Sequence, residues 1–459
     1  MQKKKRMFGT NGVRGVTGET MTPTLVYKIG AALGSMRKGT IAVGRDTRTS
    51  GEALSHALKA GLLMTGCDVL DLGILPTPAL QYIIKSGRFS GGAMITASHN
   101  PPEYNGVKVI EPDGTEMSDE ETIKLEERFF TEEFDLATWD TVGRETIAPE
   151  RFENYIEAVT SHFPPGIGEG MTVVVDPGSG PAALTTPIIL TRLGCRVHTI
   201  NARLDGTFPG RMPEPSPQGL QPLAEMVVAT GADFGVAHDG DADRAAFIDE
   251  IGRYVEENCE FGLIEDYICS KKTGGIIVTP VATSSLIREI AERHGCSVDY
   301  TAVGSIYVAR RMIELIAAGK DVVFGGEGNG GLIYPDHQFC RDGGMTAAMM
   351  VAVLATHKGR KLSEIIDDLP AYHLIKEKYH TNDPHTVVRA VEEAFSGEKI
   401  EKIDGIKILR ENAWALVRAS GTEPMIRIMV EAKDPRVADG LYQEIARVLT
   451  KRVPNADRS

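Results

Sequence analysis

The sequence predicts an α/β protein with three related α/β units followed by a smaller α+β unit. Two observations lead there. A strand–helix–Gly-Cys–strand pattern occurs three times, and the last ~90 residues break that pattern. The chain length of 459 residues agrees. At roughly 150 residues per domain it suggests about three domains, and one core of this size would exceed the ~250–300 residues at which cores stop growing.

The first copy begins with the apolar strand Thr40 to Gly44. A helix carrying Leu54, Leu58 and Leu62 follows, then Gly66-Cys67 and a strand through Val69. The second runs Val173 to Asp176, a helix through Leu184, Ile188 and Ile189, then Gly194-Cys195 and Val197. The third runs Ile276 to Thr279, a helix through Leu286, Ile287 and Ile290, then Gly295-Cys296 and Val298. Apolar residues three and four apart give each helix one buried stripe. Glycine after the helix suits a left-handed cap. Strand–helix–strand units imply right-handed crossovers and a largely parallel sheet. The three repeat cysteines are expected to be small core residues.

The C-terminal stretch differs. Asp383-Pro384 and Asp434-Pro435 each announce a helix, an N-cap followed by proline at the first position. Between them lie strand-like runs at Ile406 to Ile408, Trp414 to Val417 and Met425 to Val430. The expected domains are therefore 1–152, 153–254, 255–368 and 369–459.

Composition narrows the class. Fifty Lys and Arg against 63 Asp and Glu give a net charge of −13, contrary to a nucleic-acid-coating protein. The longest apolar run, Met345 to Ala355, is well short of the ~20 residues that span a bilayer. The basic N-terminus leads into Phe8-Gly9-Thr10 rather than an apolar stretch, so no secretory signal is expected. Six cysteines form no Cys-x-x-Cys pair, which removes the zinc-ribbon and thioredoxin readings. A reduced, cytoplasmic protein is expected, with neither nucleic-acid nor membrane partner.

Four motifs carry chemistry. Thr96-Ala97-Ser98-His99-Asn100-Pro101 leaves the apolar strand Gly92 to Ile95. Ser98 is a nucleophile or phosphoacceptor, or else a turn serine. A hydrolase triad draws its partners from distant segments, and no Gly-x-Ser-x-Gly elbow occurs. Asp239-Gly240-Asp241-Ala242-Asp243-Arg244 lies between apolar segments. Alternate aspartates in extended chain would point one way and converge on a hard cation. An EF-hand fails, because its sixth position is Arg244 where the turn needs glycine. Mg²⁺ with a phosphate oxygen fits better, and the alternative is a solvated acidic turn.

Gly325-Gly326-Glu327-Gly328-Asn329-Gly330-Gly331 contains Gly-x-Gly-x-x-Gly, but a strand-like Leu332-Ile333 and then Pro335 follow instead of a helix. That excludes a nicotinamide-binding turn. Glu327 and Asn329 can instead hydrogen-bond sugar hydroxyls. Arg418-Ala419-Ser420-Gly421-Thr422-Glu423-Pro424 offers a guanidinium fork and neutral donors for a phosphate, or is a hairpin with a surface arginine. Two smaller clusters add cations. Arg14 lies in the glycine-rich Gly9 to Gly15, expected as a flexible loop, and Lys108 closes Asn105-Gly106-Val107-Lys108; either could serve near phosphates or equally be a surface charge.

In this order, the four motifs resemble those of the α-D-phosphohexomutase superfamily, closest to its archaeal phosphoglucosamine mutase-like branch. The resemblance covers essentially the whole chain. It implies three mixed α/β domains and a TATA-binding-protein-like α+β domain around one central cleft. Ser98 would be the phosphoserine, primed by a sugar bisphosphate. Asp239, Asp241 and Asp243 would hold one Mg²⁺, with an oxygen on Ser98 completing its shell. Glu327 and Asn329 would bind the sugar. Arg418, Ser420, Gly421 and Thr422 would hold the non-reacting phosphate. Arg14, Lys108 and Arg244 would be the cationic catalytic positions.

The implied reaction moves phosphate between C6 and C1 of a hexose through a sugar bisphosphate. Glucosamine phosphate is the expected substrate and mannose or glucose phosphate the alternative, in a monomer or homodimer. Many relatives carry Ser-Gly-His in the sugar loop, where this chain has Asn329-Gly330-Gly331. That leaves Lys108 as the expected general base. A non-catalytic sugar-phosphate binder and a serine hydrolase are the competing classes.

Overall fold

The computed structural model describes residues 5, 7–9, 12–357, 359–420 and 424–452. The chain forms two compact units, Met1–Glu260 with Asn329–Asp367, and Phe261–Gly328 with Asp368–Ser459. The first contains two sheets. Its six-stranded sheet runs in the order Val13–Val16, Tyr104–Ile110, Gly92–Ile95, Thr40–Arg45, Asp68–Ile74, Glu145–Ile147. Thr40–Arg45 pairs in parallel with Asp68–Ile74 and Gly92–Ile95, while Tyr104–Ile110 runs antiparallel to its neighbours. Arg14 therefore sits on a paired strand rather than in the expected flexible loop. Val13 and Gly15 alternate with it in register against Val107 and Asn105.

The five-stranded sheet orders Tyr254–Val255, Ala245–Asp249, Phe234–His238, Thr172–Asp176 and Arg196–Thr199. Every residue of Phe234–His238 and Ala245–Asp249 is buried, so this strand pair is fully covered. The chain between these two strands carries the aspartates, and the chain leaving Gly92–Ile95 carries Ser98. Both loops start from buried strands, which fixes where they emerge.

The repeat holds with one correction. The helices are Gly51–Met64, Thr186–Arg192 and Ser285–Arg293. Gly66, Gly194 and Gly295 have φ of +80°, +102° and +68°, the left-handed cap that the pattern required. Cys67, Cys195 and Cys296 are buried. In the second copy Leu184 lies outside the helix, at the end of a 3₁₀ turn Pro181–Leu184. Pro187 explains this, because proline lacks the N–H an interior position must donate and fits the first helical turn instead. The helix starts there and turns Ile188 toward solvent, 37% exposed.

The apolar run at Met345 becomes the helix Gly343–Thr356, buried from Gly343 to Leu354. Gly343 lets it approach the aspartate loop, since a Cβ there would meet Arg244 O at 2.5 Å and His238 Nδ1 at 2.7 Å. No helix among the described residues is long and apolar enough to cross a membrane.

In the second unit Ile276–Pro280 pairs in parallel with Ser297–Thr301 and Val322–Glu327. A separate sheet of five strands orders His373–His380, Met425–Ala432, Ala413–Ala419, Ile406–Arg410 and Lys399–Glu401, all antiparallel. Helices Pro384–Ala394 and Pro435–Arg452 share its core through Val387, Val391, Leu441 and Ile445. Asp383 caps the first of them, accepting from Thr386 N at 3.1 Å.

Candidate active site

Ser98 is 1% exposed and takes the left-handed backbone, φ +51°, which a side chain adopts only when its surroundings impose it. The restraints are visible. Thr96 Oγ1 accepts from Ser98 N at 2.8 Å and donates to Asp46 Oδ2 at 2.6 Å. Arg48, 1% exposed, reaches the loop from the end of strand Thr40–Arg45. Its guanidinium donates to the carbonyls of Ser98, Asn100, Pro101 and Tyr104 at 2.8, 2.6, 2.6 and 2.8 Å. Its Nε donates to Asp46 at 3.1 Å. One side chain thus binds four carbonyls of the bent loop, of which Pro101 O also accepts from Tyr104 N at 3.1 Å.

The aspartates do not lie on extended chain. Asp239 to Arg244 is a tight turn with Ala242 at φ +60°. The carboxylates converge all the same, with one oxygen from each of Asp239, Asp241 and Asp243 within 4.8 Å of the others. Ser98 Oγ donates to Asp239 Oδ2 at 2.8 Å, joining the two loops. Gly240 permits this approach, since a Cβ there would sit 2.4 Å from Ser98 O. Thr77 fixes the middle aspartate, its N bonding Asp241 O at 2.9 Å and its Oγ1 donating to Asp241 Oδ2 at 2.6 Å.

Cations surround the triad. Lys108 Nζ lies 2.7 Å from Asp241 and 2.9 Å from Asp243. Arg341 donates to Asp243 at 2.6 Å. Arg244 donates to Asp239 through Nε at 3.2 Å and grips Glu214 with two bonds, at 3.0 and 3.1 Å. Arg14 donates to Asn100 Oδ1 at 2.8 Å, beside the serine loop. Burial opposes charge on Lys108, but Asp241 and Asp243 outweigh it and raise the ammonium above its usual range. Burial and then Asp243 push Asp239 up to about 6. On Asp243 burial is overcome by Arg341, Lys108 and Arg244, which hold it well below the usual carboxylate range.

The donor set fits a hard divalent cation. Asp241 Oδ1 and Asp243 Oδ1 are buried without a hydrogen-bond partner. Two such carboxylate oxygens beside Asp239 suit Mg²⁺, which takes oxygen ligands and binds through a few carboxylates plus phosphate.

Ser98, Lys108, Arg14, Arg244 and the three aspartates therefore come together in the first unit. Asn329 is exposed, and its Oδ1 accepts from Gly331 N at 3.2 Å. In the second unit Glu327 ends the strand Val322–Glu327, 7% exposed. Arg418 lies on Ala413–Ala419 with Nη1 3.3 Å from Asp404, and Ser420 N donates to Met425 O at 2.9 Å. Gly421 and Thr422 lie outside the described residues. The strand Gly331–Ile333 follows the glycine-rich loop, as the exclusion of a nicotinamide turn required.

Sequence reasoning missed Asp46, Arg48, Thr77, Glu214 and Arg341. The sequence signal for the first two was Arg45-Asp46-Thr47-Arg48 directly after an apolar strand, the same strand-exit position that singled out Ser98.

Four family models match the chain in order. Phosphoglucomutase/phosphomannomutase alpha/beta/alpha domain I covers 5–136, domain II 153–252, domain III 258–372, and the C-terminal domain 374–448. A phosphoglucomutase/phosphomannomutase of Thermococcus kodakarensis is 46% identical over 94% of this chain and 96% of its own. A phosphoglucosamine/phosphogalactosamine mutase of Sulfurisphaera tokodaii is 40% identical over 97% of this chain and 99% of its own. Among solved structures, a phosphoglucomutase/phosphomannomutase family protein from Burkholderia thailandensis superposes with a TM-score of 0.88 at 25% identity, covering 98% of each chain.

Proposed function

This chain belongs to the phosphoglucomutase/phosphomannomutase family, the α-D-phosphohexomutases, and we propose that it interconverts the 6- and 1-phosphates of a hexosamine, glucosamine first. The observation that carries the chemistry is the 2.8 Å contact between Ser98 Oγ and Asp239 within a shell of carboxylates and cations. Ser98 carries the phosphoryl group in this reading. The Oγ–P bond breaks as a sugar hydroxyl oxygen forms its own bond to phosphorus, giving a sugar bisphosphate, and the proton the sugar hydroxyl loses is regained by Ser98 Oγ. After the bisphosphate turns over, its other phosphoryl group returns to Ser98.

The chain's residues divide the work. Asp46, Arg48 and Thr96 hold the loop so that Oγ is presented in one orientation, which is where positioning contributes to rate. Lys108 is kept protonated by two carboxylates, so we assign it to neutralising the transferred group rather than to removing a proton. Arg244 and Arg14 add fixed positive charge beside it. Asp239, Asp241 and Asp243 would hold Mg²⁺, which when bound offsets negative charge on the phosphoryl oxygens. Glu327 and Asn329 are assigned to the sugar, and Arg418, Ser420, Gly421 and Thr422 to its second phosphate. The domain limits 1–152, 153–254, 255–368 and 369–459 belong to the same proposal.

The hexosamine reading draws on the Sulfurisphaera tokodaii relative, and the Thermococcus kodakarensis relative favours glucose and mannose phosphates. A coupled assay across glucosamine, mannose and glucose 6-phosphates decides between them. Glucosamine phosphate is expected to turn over fastest, and a large preference for either neutral hexose overturns the choice. Mass spectrometry is expected to locate one phosphoryl group on Ser98. A fluorophosphonate-reactive Ser98 in a metal-free, phosphate-free enzyme would instead indicate a hydrolase.

A further inference from the structure

The second unit contains a cavity of about 570 Å³ that none of the candidate active-site residues line. It lies along the strand Ala413–Ala419, at Trp414. Arg418 is on the same face four residues further, roughly 13 Å away at the strand rise. The cavity falls in the ~300–1,000 Å³ range of small-ligand sites.

Its deepest cation is Lys407, 7% exposed. The ammonium lies 4.2 Å from the Trp414 ring centre and 5.2 Å from that of Tyr300, and donates to Val281 O at 2.7 Å. Among the described residues no carboxylate comes within ion-pairing distance of it. Burial pushes it down to about 8, and Arg288 adds to that shift while Glu431 and Glu401 oppose it. Arg288, on the wall, is exposed and makes no ion pair among the described residues. Glu431 does not neutralise the pair by contact. Its Oε1 is turned to Ser285 N and Trp414 Nε1, both at 2.8 Å.

Three cations on the wall, Arg288, Lys399 and Lys407, thus make no ion pair among the described residues, although Glu401, Glu411 and Glu431 share the lining, and Lys407 lies between the half-buried Tyr300 and buried Trp414 rings. We propose that this cavity binds a phosphorylated small molecule, its phosphate between Lys407 and Arg288 and its ring against Tyr300 and Trp414. Phosphate is the anion that a guanidinium fork and an ammonium together hold best. A bare phosphate would leave most of the volume empty, so the ligand carries a ring, either a nucleoside base or a pyranose. Aromatic walls receive both through their faces.

The experiment uses the full chain with Trp139→Phe. The protein has two tryptophans, and Trp139 is 92% exposed, so this variant leaves Trp414 as the sole reporter. Its emission is followed against ATP, glucose 6-phosphate and inorganic pyrophosphate. A saturable change is expected with ATP or glucose 6-phosphate, at least tenfold tighter than with pyrophosphate. Whichever of the two binds tighter identifies the ring. Adding Arg288→Glu should weaken binding at least tenfold and leave turnover without added effector unchanged. Adding Ser98→Ala should leave binding unchanged. The proposal is overturned by no saturable change, by equal affinity for pyrophosphate, by unaltered binding in the Arg288 variant, or by loss of the signal with Ser98→Ala.

Discussion

Arg48 and Ser98 divide the serine loop's chemistry between them. Removing the Ser98 hydroxyl removes the proposed phosphate carrier while touching little else, since its backbone restraints come from Thr96 and Arg48. Ser98→Ala should keep the fold and lower kcat by about 10³-fold or more, roughly 4 kcal/mol of transition-state stabilisation. Near-normal turnover in the coupled assay would sink the assignment. Arg48 is the opposite case. Arg48→Ala strands buried carbonyls and leaves Asp46 without its cation, so urea denaturation should register a loss of about 3–5 kcal/mol. Arg48→Lys keeps the charge but has three donors in place of a planar fork, so it should fold and turn over more slowly. Full activity in the lysine variant would show that the four carbonyl contacts do not position Ser98.

At the scale of elements, the buried pair Phe234–His238 and Ala245–Asp249 delivers the aspartates, and His238 bridges the turn between them. His238 Nδ1 bonds Arg244 O at 2.9 Å across it. Burial holds the imidazole down to about 4. Between pH 4 and 6.5 the unfolded chain takes up a proton that the native protein does not, so stability from this group rises with pH. It is fully present above about 6.5 and lost as pH falls through 4. From pH 5 to 7 the gain is about 2 kcal/mol. Urea unfolding at the two pH values should give a gain smaller by that amount in His238→Gln, and an unchanged difference would refute it.

Asp342 anchors the helix Gly343–Thr356 behind the same turn. It accepts from Met345 N at 2.9 Å, from Tyr155 Oη at 2.5 Å and from Gln338 Nε2 at 2.7 Å. Asp342→Ala loses the cap and strands two buried donors, at a cost of about 2–4 kcal/mol in chemical denaturation. A change under about 0.5 kcal/mol would mean water replaces it.

At the scale of the molecule, the net charge of −13 describes the exterior poorly as a guide to the substrate. Lys108, Arg244, Arg14 and Arg341 concentrate positive charge where a phosphorylated ligand would sit. The aspartates Asp239, Asp241 and Asp243 among these cations would make metal binding a measurable stability. A ligand bound only by the native state adds RT ln(1 + [L]/Kd), about 2.7 kcal/mol at a hundred times Kd. Calorimetry should give a higher unfolding temperature with Mg²⁺ than with EDTA. The increment should vanish in Asp241→Asn, and an undiminished increment there would place the metal elsewhere.

Much of this was legible in the chain itself. Local patterns announced the three repeats, their left-handed glycine caps, the final α+β unit and the residues Ser98, Asp239, Asp241 and Asp243. Each depends on interactions within a few residues, on turn chemistry or on period, and such interactions are written next to one another in sequence. Leu184 was misplaced because a proline rule inside the repeat overrode its apolar spacing. What only the tertiary structure decided involves partners far apart in the chain. Ser98 meets Asp239 141 residues away, Lys108 meets Asp241 133 residues away, and Arg48 closes on a loop fifty residues on. Lys108 is expected from the sequence as a general base, and folding sets its ammonium between Asp241 and Asp243, at 2.7 and 2.9 Å. The reason is physical: burial raises the cost of an unpaired charge, and which opposite charge relieves it is set by strand order, not by spacing along the chain.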